Sequence, residues 1–291
     1  QGGIGTHEEY AFLRRYYPIV ATGWATPFLL VPEASTVDED TLECLRKAGE
    51  DDIFLSHVSP LGIRFQLVKD TLSETEKAKK IANGTTGSPC PKRYLVNNTE
   101  YGERPICTAS LDYQKKKLQD LQNTLTGDEL VIAKVAVTRK SCLCEDLAAT
   151  ALIAHNIPSK RPLTPTVCPG PNLAYYDGIY SLKEMIQHIY GEINVIKHPA
   201  RPHVFNKELA LYMDYYKEEL AVMLPTPTPK EIEYVQRVQA NLTTGIDYYR
   251  QLVPQISEES DEKKIAILKD LNKLSIEVEA MFLPFNARQY P

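Results

Sequence analysis

Apolar residues recur at three- and four-residue spacing along much of this chain, and turn residues cut the pattern into elements. A helical pattern covers His7 to Tyr16, directly after the opening Gly2-Gly3-Ile4-Gly5-Thr6. Pro18-Ile19-Val20-Ala21-Thr22 then predicts a short strand running into Gly23-Trp24-Ala25-Thr26. Thr36-Val37-Asp38-Glu39 has the form of a capping box and predicts a helix through Lys47, with Leu42, Cys44 and Leu45 facing inward. Asp52 to Val58 reads as a strand ending in the turn Ser59-Pro60-Leu61-Gly62. Ser73 with Glu76 predicts a helix ending at Asn83-Gly84, after which 84–105 is rich in turn formers and irregular. A helix over Ser110 to Leu125, a buried strand over Leu130 to Val137 and a helix over Leu147 to His155 follow. Ser181-Leu182-Lys183-Glu184 opens another helix that stops at Gly191.

From 206 to 282 three apolar stripes predict three helices. Leu209, Tyr212, Tyr216, Leu220 and Met223 form the first, and Ile232, Val235, Val238, Leu242, Ile246, Tyr249 and Leu252 the second. Ile267, Leu271, Leu274, Val278 and Met281 form the third. Linkers at 225–229 and 254–260 make the three a small bundle, whose faces suit packing or association into a homo-oligomer.

Composition narrows the function classes. The 291 residues are 43% hydrophobic and 24% charged, values of an ordinary globular protein. A net charge of −5 gives no electrostatic reason to expect nucleic acid or an anionic membrane as partner. The longest apolar run, Val131 to Val137, is interrupted by Lys134 and is too short to span a bilayer. Six cysteines without dense regular spacing are not a disulfide framework, and reduced thiols in a cytoplasmic protein are the plainer expectation.

The opening carries the first candidate chemistry. A glycine turn before a helix presents bare N–H groups and the positive helix end to an anion. A second small-residue turn, 23–26, follows at the end of the expected strand. Two such turns at consecutive strand ends match the phosphate site built by the last two loops of a (β/α)8 barrel. On this reading the chain is the tail of a longer protein. The expected class is α/β: the C-terminal βα units of a TIM barrel over 1–70, a loop-rich, cysteine-containing α+β extension over 71–204, and a helical bundle over 205–291.

Several motifs then occur in one order: Gly2-Gly3, Ala25-Thr26-Pro27-Phe28, Asp51-Asp52, Ser59-Pro60-Leu61-Gly62, Cys90-Pro91, Pro105-Ile106-Cys107, Cys168-Pro169-Gly170-Pro171-Asn172 and Ser181-Leu182-Lys183-Glu184. Over residues 1–190 this order resembles the C-terminal third of nitronate monooxygenase (2-nitropropane dioxygenase)-like flavoproteins. The resemblance implies FMN as cofactor and a small oxidisable substrate such as a nitronate. It implies Gly2, Gly3 and Ile4 as amide donors to the flavin phosphate, closed on the other side by Gly23, Trp24, Ala25 and Thr26. It also implies that the family's catalytic histidine lies upstream, so no catalytic residue is assigned here. Where such proteins have Gly-Thr-Arg-Phe, this chain has Ala25-Thr26-Pro27-Phe28, which removes a glycine and a charge partner.

A rival reading rests on thiols. Cys90, Cys107, Cys142, Cys144 and Cys168 lie in loop-like positions, with Cys142-Leu143-Cys144 next to Arg139-Lys140. Four thiolates would hold zinc or an iron–sulfur cluster, although the spacing is not that of a Cys-x-x-Cys ribbon. A third reading is a non-catalytic interaction domain. His198 and His203 flank Arg201-Pro202, a pattern open to anion binding, but as isolated histidines they are expected at the surface with no specific role, while Glu8-Glu9 suit the positive end of a helix.

Overall fold

A computed structural model describes residues 3–196, 198, 201–223 and 227–286. It is mostly helical, at 57%, with one small two-stranded sheet. The helices in chain order are α1 His7–Tyr16, α2 Ala25–Phe28, α3 Glu39–Lys47, α4 Leu72–Ala82, α5 Leu111–Thr124 and α6 Gly127–Thr138. They continue with α7 Leu143–Ala154, α8 Leu182–Ile189, α9 Val204–Met223, α10 Pro229–Leu252 and α11 Asp261–Asn286. The strands β1 Ile53–Ser56 and β2 Phe65–Val68 pair antiparallel, Ile53 opposite Val68 and Ser56 opposite Phe65. Among the described residues no helix is long and apolar enough to cross a membrane.

The sheet is a hairpin, so residues 3–70 do not form the parallel βα units expected of a barrel. Pro18 to Thr22 is irregular rather than a strand, and Ala25-Thr26-Pro27-Phe28 is a helical turn rather than a strand end. Leu130 to Val137 lies in α6, with Val131 60% and Ile132 69% exposed. Short apolar runs do not discriminate strand from helix. Here Thr126 at the N-cap position and Asp128 and Glu129 in the first turn favour the helix.

The chain divides into two compact units: residues 25–185, and residues 1–24 with 186–291. The division falls within α8 and cuts across the three consecutive stretches expected from the sequence. In the second of these units, Ile4, Phe12 and Leu13 share a core with Phe205, Leu252, Val253, Ile256 and Ile267. The helical stripes are legible there. Leu209, Leu220, Val235, Val238, Leu242, Ile246, Leu271 and Val278 bury together, joined by Met213, Phe282 and Phe285. Tyr212, by contrast, is 50% exposed. The side chain of Met223, and the linker residues Pro225 and Thr226, lie outside the described residues.

Candidate thiol site and the expected anion cradle

The irregular stretch after α4 is built around three neighbouring carbonyls. Beyond β1, the carbonyls of Val58, Ser59 and Pro60 accept from Ser141 N–H, Lys140 Nζ and Thr108 Oγ1 at 3.0, 2.9 and 3.2 Å. One turn therefore gathers the segment ending in Cys107 and the segment leading to Cys142. Gln114 of α5, fully buried, reinforces this by donating through Nε2 to the carbonyls of Thr108 and Lys140. Cys90 is brought in by paired backbone: Ser88 bridges Ser110, and Asn98 bridges Ile106. Gly87 makes that approach possible. It has φ 75°, and a Cβ there would lie 2.7 Å from Leu111 Cα, which no side chain tolerates.

Four thiols result in one neighbourhood. Cys107 and Cys90 interact directly, and Cys107 also feels Cys144. Cys142 in turn feels both Cys144 and Cys90. All are free thiols; Cys107 and Cys142 are buried, Cys90 and Cys144 half-buried. Burial pushes the Cys107 thiol up and, helped by Asp146 and Cys144, lifts Cys142 to about 12. Cys142 occupies the N-cap position of α7 and Cys144 lies in its first turn, where the helix dipole favours negative charge. Among the described residues no three His, Cys, Asp or Glu side chains stand as a ready donor set for a metal ion.

Two larger cavities adjoin these thiols. One, of about 410 Å³, is lined by Cys90, Arg93, Ile106 and Cys107. The other, of about 510 Å³, is lined by Cys142, Leu72, Lys80, Asp146 and Arg161. Asp146 accepts from the hydroxyls of Ser73 and Thr164 at 2.8 and 2.9 Å, and burial raises its carboxyl. The remaining cysteines stand apart in role. Cys44, expected in the core, is half-buried and donates to the Lys69 carbonyl, and Cys168 is exposed.

Of the residues expected to hold a flavin phosphate, Trp24 and Thr26 have other side-chain partners. Gly2 lies outside the described residues. Gly3 is exposed and the Ile4 side chain is buried in a hydrophobic core. The amide at the turn, Gly5 N–H, donates to Glu9 Oε2 at 2.8 Å. Glu9 also accepts from Val204 N–H and from both Nη atoms of Arg201, all at 2.8 Å. The anion beside the Gly5 amide is thus the protein's own carboxylate, and a Cβ at Gly5 would require the Arg201 guanidinium to shift. A phosphate there would meet the Glu9 charge. Trp24 Nε1 donates to Thr22, and Trp24 packs beside the core of Ile4. Gly23 and Ala25 are exposed, and Thr26 Oγ1 accepts from Gly170 N–H at 2.8 Å.

Sequence reasoning missed Glu9 and His203. Glu9 is 1% exposed, and His203, expected at the surface, is 7% exposed. A signal for Glu9 was present in Thr6-His7-Glu8-Glu9, since Thr6 caps α1 by accepting from Glu9 N–H. No protein family, curated protein or solved structure matches the chain.

Proposed function

We propose that the chain holds a thiolate-ligated metal centre, zinc or an iron–sulfur cluster, on Cys90, Cys107, Cys142 and Cys144. The observation that supports this reading is that one turn, at 58–60, ties down both the segment ending in Cys107, which interacts with Cys90, and the segment that places Cys142 and Cys144 at the start of α7. Four thiolates suit both centres. A coordinating cation deprotonates a thiol outright, which offsets the upward push of burial. Loading would require the four sulfurs to draw together, on a scaffold tied by Gln114 and the 58–60 carbonyls. Arg93 beside Cys107 and Lys140 beside Ser141 supply positive charge around an anionic centre.

The test is isolation under anaerobic conditions, followed by metal analysis and visible spectroscopy. A stoichiometric centre is expected, coloured and bleached by oxidation if iron–sulfur, colourless if zinc. Cys107→Ser and Cys142→Ser should lose it, whereas Cys44→Ser and Cys168→Ser should keep it. A Cys90–Cys107 disulfide in the anaerobic protein, or equal metal content in all four variants, overturns the proposal. The flavoprotein reading has the order of its sequence motifs behind it, while the Gly5 amide is already committed to Glu9. An FMN titration without a binding isotherm would retire it.

A further inference from the structure

The unit formed by residues 1–24 and 186–291 contains a separate cavity of about 260 Å³. Glu9, Arg201, His203 and Glu259 form its buried part, while Asn194, Lys263 and Asp270 stand at the exposed rim. Most of the charge is already paired. Arg201 grips both oxygens of Glu9, and Lys263 Nζ lies 3.0 Å from Glu259 Oε2. His203 differs. Phe205 N–H donates to its Nδ1 at 3.4 Å, which assigns the ring proton to Nε2. That Nε2 is buried and has no hydrogen-bond partner among the described residues. A buried donor is costly to leave unmade, so an acceptor oxygen is what this wall lacks.

The sign of the ligand follows from the remaining charge. Among the described lining residues, His198 included, Arg201 and Lys263 face the three carboxylates Glu9, Glu259 and Asp270, an excess of one negative charge with the histidines neutral. A simple anion would answer His203 but meet that excess. A simple amine would suit Asp270 but leave the His203 donor unanswered. A small molecule bearing both charges satisfies both ends.

We infer that this cavity binds a small zwitterion of the α-amino carboxylate class, its carboxylate on His203 Nε2 and Lys263 and its ammonium on Asp270. The inference rests on residues 1–24 and 186–291 alone and is independent of the thiol centre. The test is calorimetric titration of the full chain with each of the twenty free amino acids, with propionate and ethylamine as single-charge controls. At least one amino acid should bind ten-fold or more tightly than either control. Asp270→Asn, an exposed change that leaves the core intact, should weaken that binding at least ten-fold; His203→Phe should do the same if it folds. Binding of propionate as tight as that of the best amino acid, no binding by any of the twenty, or an unaltered affinity in Asp270→Asn overturns the inference.

Discussion

Glu9 shows how far a single residue departs from its local description. On the sequence it is one of two carboxylates in the first turn of a helix, and the dipole accounts for it. In the structure its four hydrogen bonds tie the start of α1 to Arg201 and to the start of α9. Nothing within a few residues of Glu9 announces an arginine 192 positions away. Glu9→Ala leaves that guanidinium buried and unpaired, and the expected loss in urea denaturation is about 3–5 kcal/mol. Glu9→Met with Arg201→Met should recover much of it; no recovery would show that the pair acts through more than its charge. Two titrations follow from the same corner. Burial raises the Glu9 carboxyl, but the Arg201 charge and hydrogen bonds outweigh it, and the net shift is below its ordinary 4.5. Its stabilisation is therefore complete above about 4.5 and lost as pH falls further. Burial pushes His203 from 6.5 down to about 4. Between those values the unfolded chain takes up a proton that the native state refuses, so stability falls by about 3 kcal/mol as pH drops from 6.5 to 4. Denaturation across that range should show the slope, and His203→Gln should flatten it.

At the level of elements, the legible parts are those with a local start signal. Ser110 caps α5 by accepting from Tyr113 N–H, and Ser181 with Glu184 caps α8, as the sequence predicts. The box at 36–39 was misplaced by two residues, since Asp38 is the N-cap of α3. Residues 130–137 are helical rather than a strand because hydrophobicity alone does not separate the two, whereas Asp128 and Glu129 in the first turn of α6 favour a helix. The thiol neighbourhood was only half legible. Loop-borne cysteines were visible, but the joining bonds from Gln114, Lys140 and Thr108 to distant carbonyls carry no sequence period. Gly87 is the point at which this loop is most exposed to test. Gly87→Ala places a Cβ into the Leu111 backbone and demands a left-handed φ from alanine. The variant should fold and retain less than half the metal of the parent; full retention would show that Cys90 reaches the site without the Ser88–Ser110 bridge.

Across the whole molecule, each compact unit carries its own candidate chemistry. The thiols lie within residues 25–185, and the polar cavity within residues 1–24 and 186–291. Sequence order suggested three consecutive parts, because nothing in a linear reading pairs α1 with helices beyond residue 204. The shared core of Phe12, Phe205 and Ile256 does that. Leu271 is fully buried in the helical core, and Leu271→Ala should cost about 2–5 kcal/mol. That loss should fall on the unit containing α11, leaving metal retention by the thiols intact. Parallel loss of metal would mean that the two units do not fold separately.

X-ray absorption at the edge of the bound metal reads the ligands of the proposed four-sulfur centre directly. A shell of four sulfurs at about 2.3 Å for zinc, or of sulfur with a near iron neighbour for a cluster, is the expected result, with fewer cysteine sulfurs in Cys107→Ser. A shell of nitrogen and oxygen, or a protein that retains no metal at all when isolated without air, would contradict it.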